Sequence, residues 1–182
     1  MTLLLSLASA PGGGQQADTQ RRVQEIRTWY GETQGALDAL QASDREYTTA
    51  GGEGHLTLYR DDTAPRKLVV QFDGDGLSWT REYFFRDGVL FFVFEHSETF
   101  PIWPDQPPEQ FGVTEQRHYF ADGNMIRWLV NDHREDMRQR AVSVGDERWE
   151  STEAALVEDA ATWLAFAASD QTDFDTFLEH RP

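Results

Sequence analysis

The chain of 182 residues contains no cysteine. Disulfides, thiolate nucleophiles, cysteine zinc sites and lipid attachment through a cysteine are therefore excluded for the sequence as written. Lysine is almost absent as well. Lys67 is the only one among 16 basic residues, the others being arginine, and they face 32 acidic residues, for a formal net charge of -16 and a pI near 4.5. A field of that sign repels phosphate backbones, so no nucleic-acid partner is expected. A lysine-poor, carboxylate-rich surface is also the kind found in salt-loving organisms, where concentrated salt screens mutual repulsion. An arginine-favouring, GC-rich genome accounts for the same bias.

Long apolar runs are missing too. No segment approaches the ~18 consecutive apolar residues of a spanning helix, so the chain is read as not membrane-spanning. The five histidines, His55, His96, His118, His133 and His180, form no H-x-x-x-H or H-E-x-x-H pair, and a helical zinc site has no signal. There is no G-x-S-x-G elbow and no G-x-x-x-x-G-K-[ST] loop. The "DGDG" stretch at Asp73–Gly76, even with Asp61 and Asp62, lacks the spacing of a calcium loop and reads as a turn. No catalytic residue, metal or cofactor is assigned on these grounds.

What the chain does contain is 39% hydrophobic and 13% aromatic residues, enough for one domain core. The start, "MTLLLSLASAPGGGQQADT", carries a short apolar run and an Ala8-Ser9-Ala10 stretch of the A-x-A cleavage type but no basic n-region. Residues 1–17 are read as the remainder of an export signal and a linker without fixed structure, with a single domain over 18–182. The expected localisation is exported, periplasmic or secreted; the alternative is the cytoplasm of a halophile.

From Asp18 the apolar residues Val23, Ile26, Tyr30, Leu37 and Leu40 share a helical stripe, with Asp18 or Thr19 as N-cap and an end before Thr48. After Gly54 the period becomes two. Leu56 and Leu58, then Leu68, Val70 and Phe72, mark a hairpin across "DDTAP". Four further strands follow, all joined by short loops except at Thr99–Gly112, a stretch holding four prolines and read as a loop of polyproline character. A second helix is expected from Ser151 or Thr152, with Leu156, Ala160, Trp163, Leu164 and Ala167 inward, and a short turn docking Phe174 and Phe177. The expected fold is α+β: an N-terminal helix, a six-stranded antiparallel β-meander, and a C-terminal helix packed on one face of the sheet.

Two of the hairpins are echoes. In "REYFFRDGVLFFVFEHSE" and "QRHYFADGNMIRWLVND" the Asp-Gly pairs lie 35 residues apart, and superposing them matches Phe84 with Tyr119, Phe85 with Phe120, Leu90 with Met125 and Phe91 with Ile126. Asp-Gly between apolar runs signals a two-residue type I′ turn, which needs positive φ at both central residues. Strict alternation then puts Tyr83, Phe85, Leu90, Phe92 and Phe94 on one face, and Phe84, Phe91 and Val93 on the other. A strand apolar on both faces belongs at the centre of a doubly covered sheet. With both helices on one side, the cover of the other is left to curling, the proline loop, a partner or a ligand.

The segment from Leu77 to Val130 resembles a group of exported bacterial proteins and lipoproteins with paired Tyr/Phe-x-Asp/Asn-Gly-x-Leu hairpins. That group has no established activity, so the resemblance implies no site residues. The functional expectation is a non-catalytic exported binding module of the bacterial envelope that uses an aromatic sheet face, with Trp79, Tyr83, Phe92, Trp103 and Trp128 as contact residues. Its partner is an unknown protein or a small apolar ligand, and a homodimer through the same face is a further option. The competing reading is a small pocket enzyme, hydrolase-like, with a curved sheet and Glu82, His96 and His118 as its polar groups.

Overall fold

The computed structural model describes residues 12–62, 64–101, 112–132 and 139–181. Helix α1 (Gly12–Gly35) is followed by a single 3-10 turn, Leu37–Ala39. Next come strands β1 (Gln41–Thr49), β2 (Gly52–Arg60), β3 (Pro65–Gly74), β4 (Leu77–Arg86) and β5 (Val89–Thr99). Then follow β6 (Gly112–Ala121), β7 (Asn124–Asp132) and β8 (Arg140–Val142), and finally helices α2 (Trp149–Ala168) and α3 (Phe174–Glu179). The strands form one sheet in the order β1-β2-β3-β4-β5-β6-β7-β8, each pair antiparallel. The α+β meander is as expected, but it has eight strands, not six.

The two added strands lie at the sheet edges. β1 comes from residues read as the end of the first helix; "QASDREYTT" is polar along its length, with Tyr47 its one buried residue. Tertiary contacts hold it in place. The Arg45 guanidinium donates to the carbonyls of Phe166 and Ser169 at 2.5 Å each, capping the C-terminus of α2, where a cation is favoured. Tyr47 lies across its register partner Gly54 and donates to the Gln71 carbonyl at 2.9 Å. A Cβ on Gly54 would sit 2.2 Å from that carbonyl and 2.3 Å from the Tyr47 ring. Gly54→Ala is therefore expected to displace both Tyr47 and the β3 backbone at Gln71 and to cost about 1–3 kcal/mol or more; an unchanged urea midpoint would show that strand and ring yield freely. β8 pairs with β7 along only Trp128–Val130, too short a segment for any periodicity to register.

The paired hairpins form as their Asp-Gly turns demand. Asp87 and Gly88 have φ of 52° and 77°, Asp122 and Gly123 have 52° and 81°. Beyond each turn the ladder slips at the same place: Phe85 pairs with Leu90 and Phe84 with Phe92, while Phe120 pairs with Met125 and Tyr119 with Arg127. Phe91 and Ile126 are the extra residues of two equivalent β-bulges, and a bulge sends consecutive side chains to one face. This corrects the strict alternation. Phe92 and Phe94 join Phe84 and Phe91, whereas Val93 joins Tyr83 and Phe85, with Leu90 packed against them.

The helices lie on opposite faces, contrary to the expectation that both cover one. On one side α2 and α3 pack over Leu56, Leu58, Leu68, Val70, Tyr83 and Phe85, burying Trp163 and Phe166. Phe174 stacks on Trp163 at 3.9 Å and Phe177 meets Phe166 edge-on at 5.2 Å, so the short turn docks as expected. On the other side α1 places Val23 and Ile26 on Phe84, Phe91, Phe92, Tyr119 and Leu129, and Tyr30 meets Phe84 and Phe92 at 4.9 and 5.4 Å. α1 starts at Gly12, ahead of the expected Asp18 or Thr19 cap. Arg22 reaches Asp122 at 3.3 Å and Arg86 reaches Glu32 at 2.8 Å, one ion pair for each turn. Near the other end the lone lysine, Lys67, bonds Glu82 at 3.1 Å and the Gln34 side chain at 3.2 Å.

Candidate ligand-binding cleft

Strand alternation aims a polar set into the side covered by α2. On β4 the inward residues run Trp79, Arg81, Tyr83, Phe85, a charge inserted into an aromatic series. Arg81 is the register partner of Glu95, and Glu95 of Gln116; His118 lies two residues on from Gln116, on the same face, opposite Val93 and Trp128. From above, Thr152, Leu156, Asp159 and Thr162 descend one face of α2, and Phe174, Leu178 and Arg181 close one end. Between the layers is an open cleft of about 590 Å³ lined by these residues, within the range usual for small-molecule sites.

Its electrostatics centre on Arg81. The guanidinium is ion-paired with Asp159 and sits 3.3 Å from Glu95; Asp159 also accepts the Tyr83 hydroxyl proton at 2.6 Å. Burial pulls the Arg81 pKa down, but Tyr83, Glu95 and Asp159 together carry it above the usual value, so it stays charged. Burial raises the Tyr83 hydroxyl well above its ordinary range, with Asp159 adding to the effect. Burial also raises Glu95, and Arg81 opposes that.

His118 stands apart. Its side chain is 0% exposed, and among the described residues neither ring nitrogen has a hydrogen-bond partner. The nearest carboxylate oxygen, Glu95 Oε1, is 4.0 Å from Nδ1, beyond hydrogen-bond reach. Desolvation, then the Arg81 charge, lower its pKa to about 3, so the imidazole is neutral, with one donor and one acceptor. Its ring packs at 5.4 Å from Trp128, whose indole N–H donates to Gln116 Oε1 at 2.9 Å. That bond fixes the Gln116 amide and leaves its NH2 group as the donor.

The structure separates the residues singled out from the sequence. Tyr83, Phe92 and Trp128 are buried, Phe92 beneath α1 and the other two beneath α2. Trp79 is half-buried, stacked on Phe72 at 5.7 Å. Trp103 lies outside the described residues, as does His133. Of the second set, only His118 lines the cleft. Glu82 pairs with Lys67 on the α1 side, and His96 bonds Glu98 at 3.1 Å on that same side. Arg81, Gln116 and Asp159 were missed, although polar residues at inward positions of an apolar alternation are a readable signal for the first two.

Among the described residues no cluster of three or more His, Asp or Glu is arranged to hold a metal ion, and no helix is long and apolar enough to cross a membrane. Comparison with protein-family models, with curated proteins and with solved structures found no match.

Proposed function

We infer that this chain is a non-catalytic binding module that takes a small molecule into the cleft between α2, α3 and the sheet. The observation that carries this reading is His118: a fully buried imidazole with two unpartnered nitrogens on the wall of the cleft. Unmet buried polar groups cost about 1–3 kcal/mol each, and because these nitrogens have almost no accessible surface, a ligand recovers that cost when the lining shifts enough for it to bond one of them. Binding rather than chemistry is favoured because a general base works best with a pKa near the operating pH, and His118 is held near 3. The aromatic sheet faces then serve as the two cores that fix the strands carrying Arg81, Glu95, Gln116 and His118. Export to the envelope remains the cellular setting proposed from Ala8-Ser9-Ala10.

Ala155 lines the cleft yet is exposed on α2, so Ala155→Trp narrows the cleft without touching either core. Screening a small-fragment library against the 15N-labelled chain should give hits that shift the Gln116, His118, Trp128 and Thr152 amides. Those hits should be lost in Ala155→Trp. Hits that map elsewhere, or that survive the substitution, would refute the cleft as the binding site.

A further inference from the structure

We propose that the occupant of this cleft is an uncharged, polyhydroxylated molecule of the saccharide class; the proposal rests on the cleft being a binding site. The charges buried on the sheet side of the cleft are already matched. Arg81 is engaged by Asp159 and Glu95, so an anionic ligand finds no free guanidinium there and meets Glu95, Asp159 and Glu158 inside a chain of net charge -16. A cation has to compete with Arg81 for the oxygens of Glu95 and Asp159. At the far end Arg181 donates to Thr162 Oγ1.

The groups left over are neutral and of mixed sense. His118 offers one donor and one acceptor, and Gln116 offers its NH2 group because Trp128 occupies its oxygen. Glu95 stands beside both on the sheet face. A hydroxyl donates or accepts as its partner requires, so one hydroxyl satisfies whichever His118 nitrogen the ligand reaches, without a change of protonation, while a neighbouring hydroxyl takes the Gln116 donor. Opposite them Ala155, Leu156, Phe174 and Leu178 make an apolar wall. A pyranose combines these two requirements, with a rim of hydroxyls around a face of C–H groups.

The test uses the full chain with 15N-labelled histidine rings, titrated separately with methyl glucoside, methyl galactoside, methyl mannoside, maltose and cellobiose, and with inorganic phosphate and arginine. At least one sugar should shift the His118 ring nitrogens saturably, and phosphate and arginine should not. Gln116→Glu keeps an oxygen for the Trp128 indole but removes the NH2 donor, and should weaken that sugar about tenfold, its fold being checked by amide spectra. If phosphate or arginine moves His118 and no sugar does, the saccharide class is overturned while the cleft stands as a binding site. If no probe moves it, the saccharide class is refuted, and the fragment mapping decides separately whether the cleft binds at all. A sugar that binds Ala155→Trp as well as the parent chain overturns both readings.

Discussion

Between pH 6.5 and pH 3 the wild-type chain is expected to lose about 5 kcal/mol of stability that a His118→Phe variant does not lose, measured by urea unfolding at constant ionic strength. His118 ordinarily titrates at 6.5, and in the folded chain at about 3 because burial and Arg81 disfavour the imidazolium. Between those values the unfolded chain binds a proton that the native chain does not. Stability from this group is therefore complete above pH 6.5 and is lost as pH falls toward 3. Glu95, whose pKa burial raises, works in the opposite sense: its contribution is present at low pH and fades as pH rises through its folded pKa. The comparison with His118→Phe, which leaves Arg81, Glu95 and Asp159 in place, isolates the histidine. Parallel stability curves for the two chains would show that water or a nearby acid satisfies the ring. A phenyl ring in that position retains the packing on Trp128, so the variant is expected to fold.

Phe84→Ala is expected to cost about 3–5 kcal/mol. Phe84 is 0% exposed; its ring lies 4.9 Å from Tyr30, 5.7 Å from Phe92 and 6.2 Å from Phe91, with the Lys67 ammonium 5.0 Å from its centroid. Removing it empties the centre of the cluster that holds α1, so amide exchange in α1 should accelerate more than in α2. Phe94→Ala, at the half-buried edge of the same cluster, should cost clearly less. A loss below about 1 kcal/mol for Phe84→Ala would mean that α1 contributes little and that the second face has some other cover.

Much of this architecture is legible in the residues because it depends on neighbours in sequence. Asp87-Gly88 and Asp122-Gly123 specify two-residue turns through backbone sterics alone, and the shared spacing around them foretells two hairpins with equivalent registers. Short connections impose antiparallel order, and the stripe from Leu156 to Trp163 marks α2 and its buried side. Strand β1 is different. Its polar sequence has no period, and it is extended because Tyr47 and Arg45 find partners on β2, β3 and α2. The bulges at Phe91 and Ile126 are likewise invisible to a period-two reading, which is why Phe92, Val93 and Phe94 are each expected on the wrong face.

The cleft divides in the same way. Arg81, Gln116 and His118 occupy inward positions that alternation alone identifies, so a polar patch under a helix was readable in principle. What joins them is long-range: Asp159 comes from a helix 78 residues beyond Arg81, and it reaches the sheet only when α2 packs on the face that carries Arg81. Local rules act over a few bonds and leave their mark in spacing. The placement of a helix on one face or the other is settled by which apolar surfaces remain uncovered once the sheet exists, and no stretch of the chain holds that information alone.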